Sequence, residues 1–246
     1  MKRDINFLKQ NLIAHRGDYD VDRHIPENSL KAFENAINNN YIIELDVHIL
    51  KDKNIIVFHD DNLKRMTNVD MYVKDICYED IKNLKLNNSN EKIPLLEEVL
   101  ELVNGKVPII IELKCNVQCG ILEKEVIKIL KKYKGKYAVK SFNPFSINFF
   151  RKNFPKAIRG QLASDFKNEK MPKIKKLFLS KMLYNYISKP DFISYDIRAL
   201  PNKKIKKLRK NKLILGWTIR NNDDFKKAKK YCDNYICENI SSLKSI

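Results

Sequence analysis

The sequence predicts a (β/α)8 barrel. Short apolar runs alternate with longer amphipathic stretches, eight such runs occur, and a length of 246 residues suits one α/β barrel better than two separate domains. The predicted strands are residues 12–15, 42–47, 107–113, 137–142, 157–162, 192–195, 213–218 and 235–237. They are short and rich in Ile, Val and Leu, as strands buried on both faces are. Helical period runs through residues 29–38, 96–103, 121–132, 203–210 and 223–230, with Ser29 and Asn221 placed as N-caps. An open doubly wound sheet is the rival architecture.

One segment breaks the rhythm. About fifty residues separate the second strand from the helix at 96–103, where a βα loop ordinarily takes about 2–6. The segment holds a strand of its own, Ile55-Ile56-Val57-Phe58-His59, followed by polar, Asn-rich sequence up to Ile93-Pro94. It is expected to form an inserted subdomain, residues 48–93, over the C-terminal mouth of an otherwise single barrel domain spanning residues 1–246. Long insertions at that face usually carry function.

Charge is distributed unevenly. Lys plus Arg is 48 against 30 Asp plus Glu, for a net +18, but residues 1–123 carry 16 basic and 21 acidic side chains and residues 124–246 carry 32 and 9. A pI near 9.5 raises nucleic-acid binding as a different class of function. The lysine clusters at residues 203–207 and 226–230 fit better as the solvated outer face of barrel helices, because no stacking platform accompanies them, so no specific nucleic-acid partner is expected. A field of this sign favours anionic substrates and peripheral contact with anionic membranes. No apolar run is long enough to span a bilayer, and Met1-Lys2-Arg3-Asp4 leads into polar sequence, which points to the cytoplasm. The five cysteines are read as reduced structural thiols, since no His completes a zinc knuckle around them.

The residues that carry chemistry interrupt the strands. Glu44 and Asp46 stand two apart in an apolar strand, so they share one face of the pleat. Glu112 and Lys114 repeat the pattern at the end of the third strand. Buried carboxylates side by side repel and need a cation, so Glu44, Asp46 and Glu112 are candidate oxygen ligands for a divalent cation, Mg²⁺ or Ca²⁺. A competing reading has Lys114 or a neighbouring Arg simply pairing with them. His15, ahead of Arg16-Gly17, and His59, ahead of Asp60-Asp61, each end a strand and together can serve as a general acid and base. His24 and His48 are given no catalytic role.

These residues fall in runs that resemble the glycerophosphodiester phosphodiesterases. The runs are Ile13-Ala14-His15-Arg16-Gly17, Pro26-Glu27-Asn28-Ser29, Glu44-Leu45-Asp46-Val47 and Val57-Phe58-His59-Asp60 with Leu63, Arg65 and Thr67. Ile93-Pro94-Leu95-Leu96-Glu97-Glu98, Glu112-Leu113-Lys114, Ser141-Phe142 and Gly216-Trp217-Thr218 follow in the family's order. The resemblance implies a (β/α)8 barrel with a small insertion after the second strand. It implies a divalent cation held by Glu44, Asp46 and Glu112, acid–base catalysis by His15 and His59, and phosphate contacts from Arg16 and Lys114. The substrate implied is a glycerophosphodiester or lysophospholipid, and a lysophospholipase D or sphingomyelinase D-like reaction is the second enzyme reading. Trp217 either walls the site and stacks on the glycerol or alcohol moiety, or is a barrel-core aromatic. The sequence departs from the family at Asn38-Asn39-Asn40-Tyr41, at Asn54 and at Cys237-Glu238-Asn239.

Overall fold

The computed structural model describes residues 3–115, 118–167 and 170–243. The fold is the predicted (β/α)8 barrel: each of the eight expected strands is present, and the insertion adds a ninth. The strands are β1 (Ile13–His15), β2 (Ile42–Ile49), β3 (Ile55–Val57), β4 (Ile109–Leu113), β5 (Tyr137–Ser141), β6 (Ile158–Ala163), β7 (Phe192–Asp196), β8 (Leu213–Ile219) and β9 (Asn234–Cys237). Residues 14–137 form one compact unit, and residues 1–13 with 138–246 form another.

In the unit of residues 14–137, β2 runs parallel to β4 with Asp46 opposite Glu112, and Glu44 opposite Ile110. The insertion starts by turning back on β2: β3 pairs antiparallel with it, Val47 opposite Val57 and Ile49 opposite Ile55. The left-handed residue of that hairpin is Lys53 at φ +70°, not Asn54. The Leu50 N–H donates to the Asn54 carbonyl, so Asn54 closes the turn just before β3. At the Asn-rich turn before β2, Asn40 adopts φ +55°, a conformation Asn accepts in place of Gly. Ser29 caps the helix Leu30–Asn38 by accepting the Ala32 N–H, as the sequence predicts. Beyond β3 the chain buries Phe58, Leu63, Met66, Val73, Ile81 and Leu86 in one apolar cluster.

In the other unit, β5 to β9 pair in parallel in sequence order. Gly160 on β6 is set by its neighbour: a Cβ there would sit 2.2 Å from the Phe192 ring. The buried Asn234 side chain donates to the Leu8 and Asn11 carbonyls at 2.7 Å, fastening the N-terminal segment. Asn221 accepts the Asp224 N–H and starts the helix Asn222–Tyr231. The two lysine clusters lie on this helix and on Lys203–Leu208, with Ile205, Phe225 and Ala228 buried beneath them. Helices Pro144–Asn153 and Lys173–Ser180 are additional to the helices the sequence reading places. Among the described residues, no helix is long and apolar enough to cross a membrane.

Candidate active site

The turn after β1 is built tightly. Gly17 takes φ +83°, and a Cβ there would lie 2.8 Å from the Ala32 Cβ. Arg16 before it holds φ +58° and Asn28 holds φ +56°, and the two are joined where the Asn28 N–H donates to the Arg16 carbonyl at 2.9 Å. Left-handed backbone at non-glycine residues costs free energy and persists where surrounding contacts impose it. Here those contacts are to the carboxylates: the Arg16 N–H donates to Glu44 Oε2 at 3.1 Å, and Asn28 Nδ2 donates to Asp46 Oδ2 at 3.1 Å.

Glu44, Asp46 and Glu112 are all buried, and each offers an oxygen within 4.8 Å of the others. Period two puts Glu44 and Asp46 on one face of β2, and the β2–β4 register sets Glu112 beside Asp46. Lys114, two residues past Glu112, spans the pair, with Nζ 2.6 Å from Glu112 Oε1 and 3.0 Å from Asp46 Oδ1. Arg16 Nε lies 3.5 Å from Asp46 Oδ2, and His15 Nε2 lies 4.0 Å from Glu44 Oε2. Cationic pairing of these carboxylates, the competing sequence reading, is therefore present. Burial alone would raise the Asp46 carboxyl, but Lys114, His59 and Arg16 outweigh it and hold it far below the ordinary range. Burial likewise opposes the charge of Lys114, yet Asp46 and Glu112 raise it well above an ordinary lysine.

His59 follows β3 and is oriented by its sequence neighbour. Its Nδ1 lies 2.6 Å from Asp60 Oδ1, and since a carboxylate only accepts, Nδ1 carries the hydrogen and Nε2 is left to exchange a proton. Arg65 grips the other side of Asp60 (Nε to Oδ2, 2.5 Å) and reaches Glu27 at 2.7 Å, and Glu27 in turn accepts from Arg16 Nη1 at 2.7 Å. A continuous chain of ion pairs thus links the turn after β1 to the imidazole of His59. Burial would raise Asp60 and Glu27, but hydrogen bonds from His59 and Arg65 to the first, and from Arg65 and Arg16 to the second, hold both below their ordinary values. His48, buried on β2, donates from Nε2 to the His59 carbonyl at 3.1 Å, which fixes its tautomer; burial lowers its pKa and keeps it neutral.

Glu27, Asn28, Asp60 and Arg65 were legible only as letters in the quoted runs, with no role that spacing could give them. The one local signal was the adjacency of His59 and Asp60. Glu44, Asp46 and Glu112 bring three buried carboxylates to within 4.8 Å of one another, a donor set that fits one hard divalent cation.

A depression of about 750 Å³ opens beside this network, walled by His59, Asp60, Arg65, Tyr72 and Lys114 among others. Trp217, on β8 in the other unit, packs edge-on against Phe142 at 5.7 Å, and its buried Nε1 has no hydrogen-bond acceptor among the described residues. A second group of potential ligand atoms, Cys115, Cys119 and Glu123, also lies within 4.8 Å. There Glu123 accepts the Gly120 N–H at 2.6 Å and the Cys119 thiol at 3.6 Å, which is how a helix start satisfies its donors.

The chain matches the model of the Glycerophosphoryl diester phosphodiesterase family over residues 15–236. It is 37% identical over 160 residues to a glycerophosphodiester phosphodiesterase of Caldanaerobacter subterraneus subsp. tengcongensis, covering 60% of this chain and 64% of that one. It is 34% identical over 144 residues to lysophospholipase D GDPD1 of Mus musculus, covering 53% and 44%. The aligned part is thus under two thirds of the length of either relative. Among solved structures, an Oleispira antarctica phosphodiesterase in complex with the product sn-glycerol-3-phosphate shares the fold, with a TM-score of 0.79, 21% identity, and coverage of 96% of this chain and 95% of that one.

Proposed function

The chain belongs to the glycerophosphoryl diester phosphodiesterase family, and we propose that it hydrolyses glycerophosphodiesters to glycerol 3-phosphate and an alcohol. The observation that carries the reading is the buried trio Glu44, Asp46 and Glu112 joined by ion pairs to a His59–Asp60 dyad. Glu44, Asp46 and Glu112 would hold a divalent cation, Mg²⁺ or Ca²⁺, which when bound supplies Lewis-acid neutralisation of the phosphodiester charge. Arg16 and Lys114 add charge-assisted donors for the phosphate oxygens. One of His15 and His59 takes the proton from the nucleophile, either water or a glycerol hydroxyl whose cyclic phosphate product water then opens, and the other gives a proton to the departing alcohol oxygen, so the alkoxide never leaves unprotonated. Asp60 holds His59 in the tautomer this needs, with Nδ1 occupied and Nε2 available. The depression walled by residues 59–72 and Lys114 receives the substrate's variable alcohol, and residues 48–93 act as an inserted subdomain that supplies that wall. The enzyme is read as cytoplasmic, where its five free cysteines stay reduced.

The test is release of glycerol 3-phosphate from a panel of glycerophosphodiesters, followed by phosphorus NMR. Activity is expected to vanish with chelator and to return on adding Mg²⁺ or Ca²⁺. Turnover indifferent to chelation removes the cation from the reading. The name of the mouse relative favours a second substrate class, lysophospholipids, and the same spectra with lysophosphatidylcholine separate hydrolysis from cyclisation.

A further inference from the structure

Most lysine-rich helices of this chain have an ordinary explanation, since apolar residues on the same helix are buried against the barrel. Residues 170–189, which connect β6 to β7, are the exception. They carry six lysines and no acidic residue. The helix Lys173–Ser180 buries none of its side chains. Its apolar residues Ile174, Leu177 and Phe178 stand at i, i+3 and i+4, on one face, and all three are exposed, Ile174 by 74%. Leu183, Tyr186 and Ile187 continue the surface, Tyr186 at 90% exposure. Six of the eleven large exposed apolar side chains among the described residues therefore fall within residues 174–187, a concentration that marks a binding surface rather than scatter.

The surface is held in place. Met182 and Ser188 are buried, and Tyr184 packs between Phe145 and Phe178 with ring centroids 5.6 Å from each. Lys176 Nζ donates to the Lys167 carbonyl at 2.6 Å, tying the helix to the preceding loop.

We propose that residues 170–189 are a docking surface for an anionic lipid bilayer. An apolar face flanked by cations, with no acidic residue, is what an interfacial segment presents: the apolar groups enter the boundary of the acyl chains and the ammonium groups meet lipid phosphates. A second copy of the chain is a poor occupant, because like-charged lysines would face each other. Single-stranded nucleic acid is a poor one too, because four of the six exposed apolar side chains, Ile174, Leu177, Leu183 and Ile187, are aliphatic and give bases no ring to stack on. The proposal does not rest on the proposed chemistry, since binding is read without turnover.

The experiment is cosedimentation of the full chain with vesicles of equimolar phosphatidylcholine and phosphatidylglycerol, and with vesicles of phosphatidylcholine alone. Binding is expected to the first, weakening with salt, and not to the second. Lys173→Gln with Lys175→Gln is expected to weaken it by roughly 30-fold, at about 1 kcal/mol per lysine near an anionic surface. Ile174→Ser with Leu177→Ser and Ile187→Ser, all at exposed positions, is expected to abolish it while leaving the circular dichroism spectrum and thermal midpoint unchanged. Failure of the wild type to bind anionic vesicles, binding by the triple variant equal to wild type, or a wild-type dimer that the triple variant breaks would each overturn the proposal.

Discussion

Residues 14–137 carry 19 basic and 21 acidic side chains, whereas the rest of the chain carries 29 and 9. Both parts are made of the same β-strand and α-helix units, yet the charges do different things in them. In residues 14–137 four of the acids are buried, and three of them, Glu44, Asp46 and Glu112, meet Arg16 and Lys114 across β2 and β4. In the remainder the lysines point outward from helices such as Lys203–Leu208 and Asn222–Tyr231, and from the exposed surface at residues 170–189, with Lys140 on β5 the buried exception among the described residues. Net charge is therefore a poor guide to function here. An almost balanced unit holds the dense electrostatic network, and the strongly basic one holds a solvated exterior.

The largest effect that would break this contrast concerns the histidines of the acidic unit. His15→Ala and His59→Ala are each expected to lower kcat by a factor on the order of 10²–10⁴, with the fold intact by circular dichroism. Asp60→Asn, which leaves His59 in place but loosens its tautomer, should cost about 10–100-fold. Full activity in both histidine variants would leave the network without a chemical role.

Next in size is the pH dependence of stability. Glu27 has its folded pKa held below the ordinary 4.5 by Arg65 and Arg16 against the opposing effect of burial. Because the folded value is the lower one, the stabilisation is fully present above the unfolded value and is lost as pH falls through the folded one. Glu27→Gln is thus expected to destabilise by roughly 1.5–3 kcal/mol at pH 7, the scale of hydrogen bonds to charged groups. Thermal melts of the variant and the wild type should converge as the pH is taken below the carboxylate range. A gap that stays constant down to acid pH would mean that Glu27 acts through packing alone.

The smallest effect separates the two parts by their thiols. Burial pushes Cys232 and Cys237, both in the basic part, up to about 12, while Cys77, Cys115 and Cys119 in the acidic part are partly exposed. A thiol reagent at neutral pH should therefore modify three cysteines in the native protein, and all five after denaturation. Rapid native reaction at Cys232 would show that the helix Asn222–Tyr231 opens readily from the barrel.

Much of the molecule is legible in its sequence. Strand positions follow from local apolar runs, and the pairing of Glu44 with Asp46 on one face follows from the two-residue period of a strand. Ser29 and Asn221 cap helices where their side chains can reach an orphan N–H, a purely local matter. Where the reading fell short, the deciding contact was distant. Arg65 meets Glu27 across 38 positions of sequence, and nothing near either residue announces the other. His48, one residue past the end of the predicted strand, proved to anchor the backbone of His59 because the returning β3 brings that carbonyl to its Nε2.

The sequence by itself determined the rhythm of strands and helices, the long insertion, and which carboxylates and imidazoles interrupt apolar strands. Those are features of period and composition, set by the geometry of a few consecutive residues. Only the tertiary structure decided that Asp46 lies beside Glu112, that Arg16, Glu27, Arg65 and Asp60 connect in series to His59, and that the apolar residues of helix Lys173–Ser180 stay exposed while those of other lysine-rich helices are buried. Register and burial depend on partners far along the chain, and a local pattern reads the same whether its apolar face meets a barrel or water.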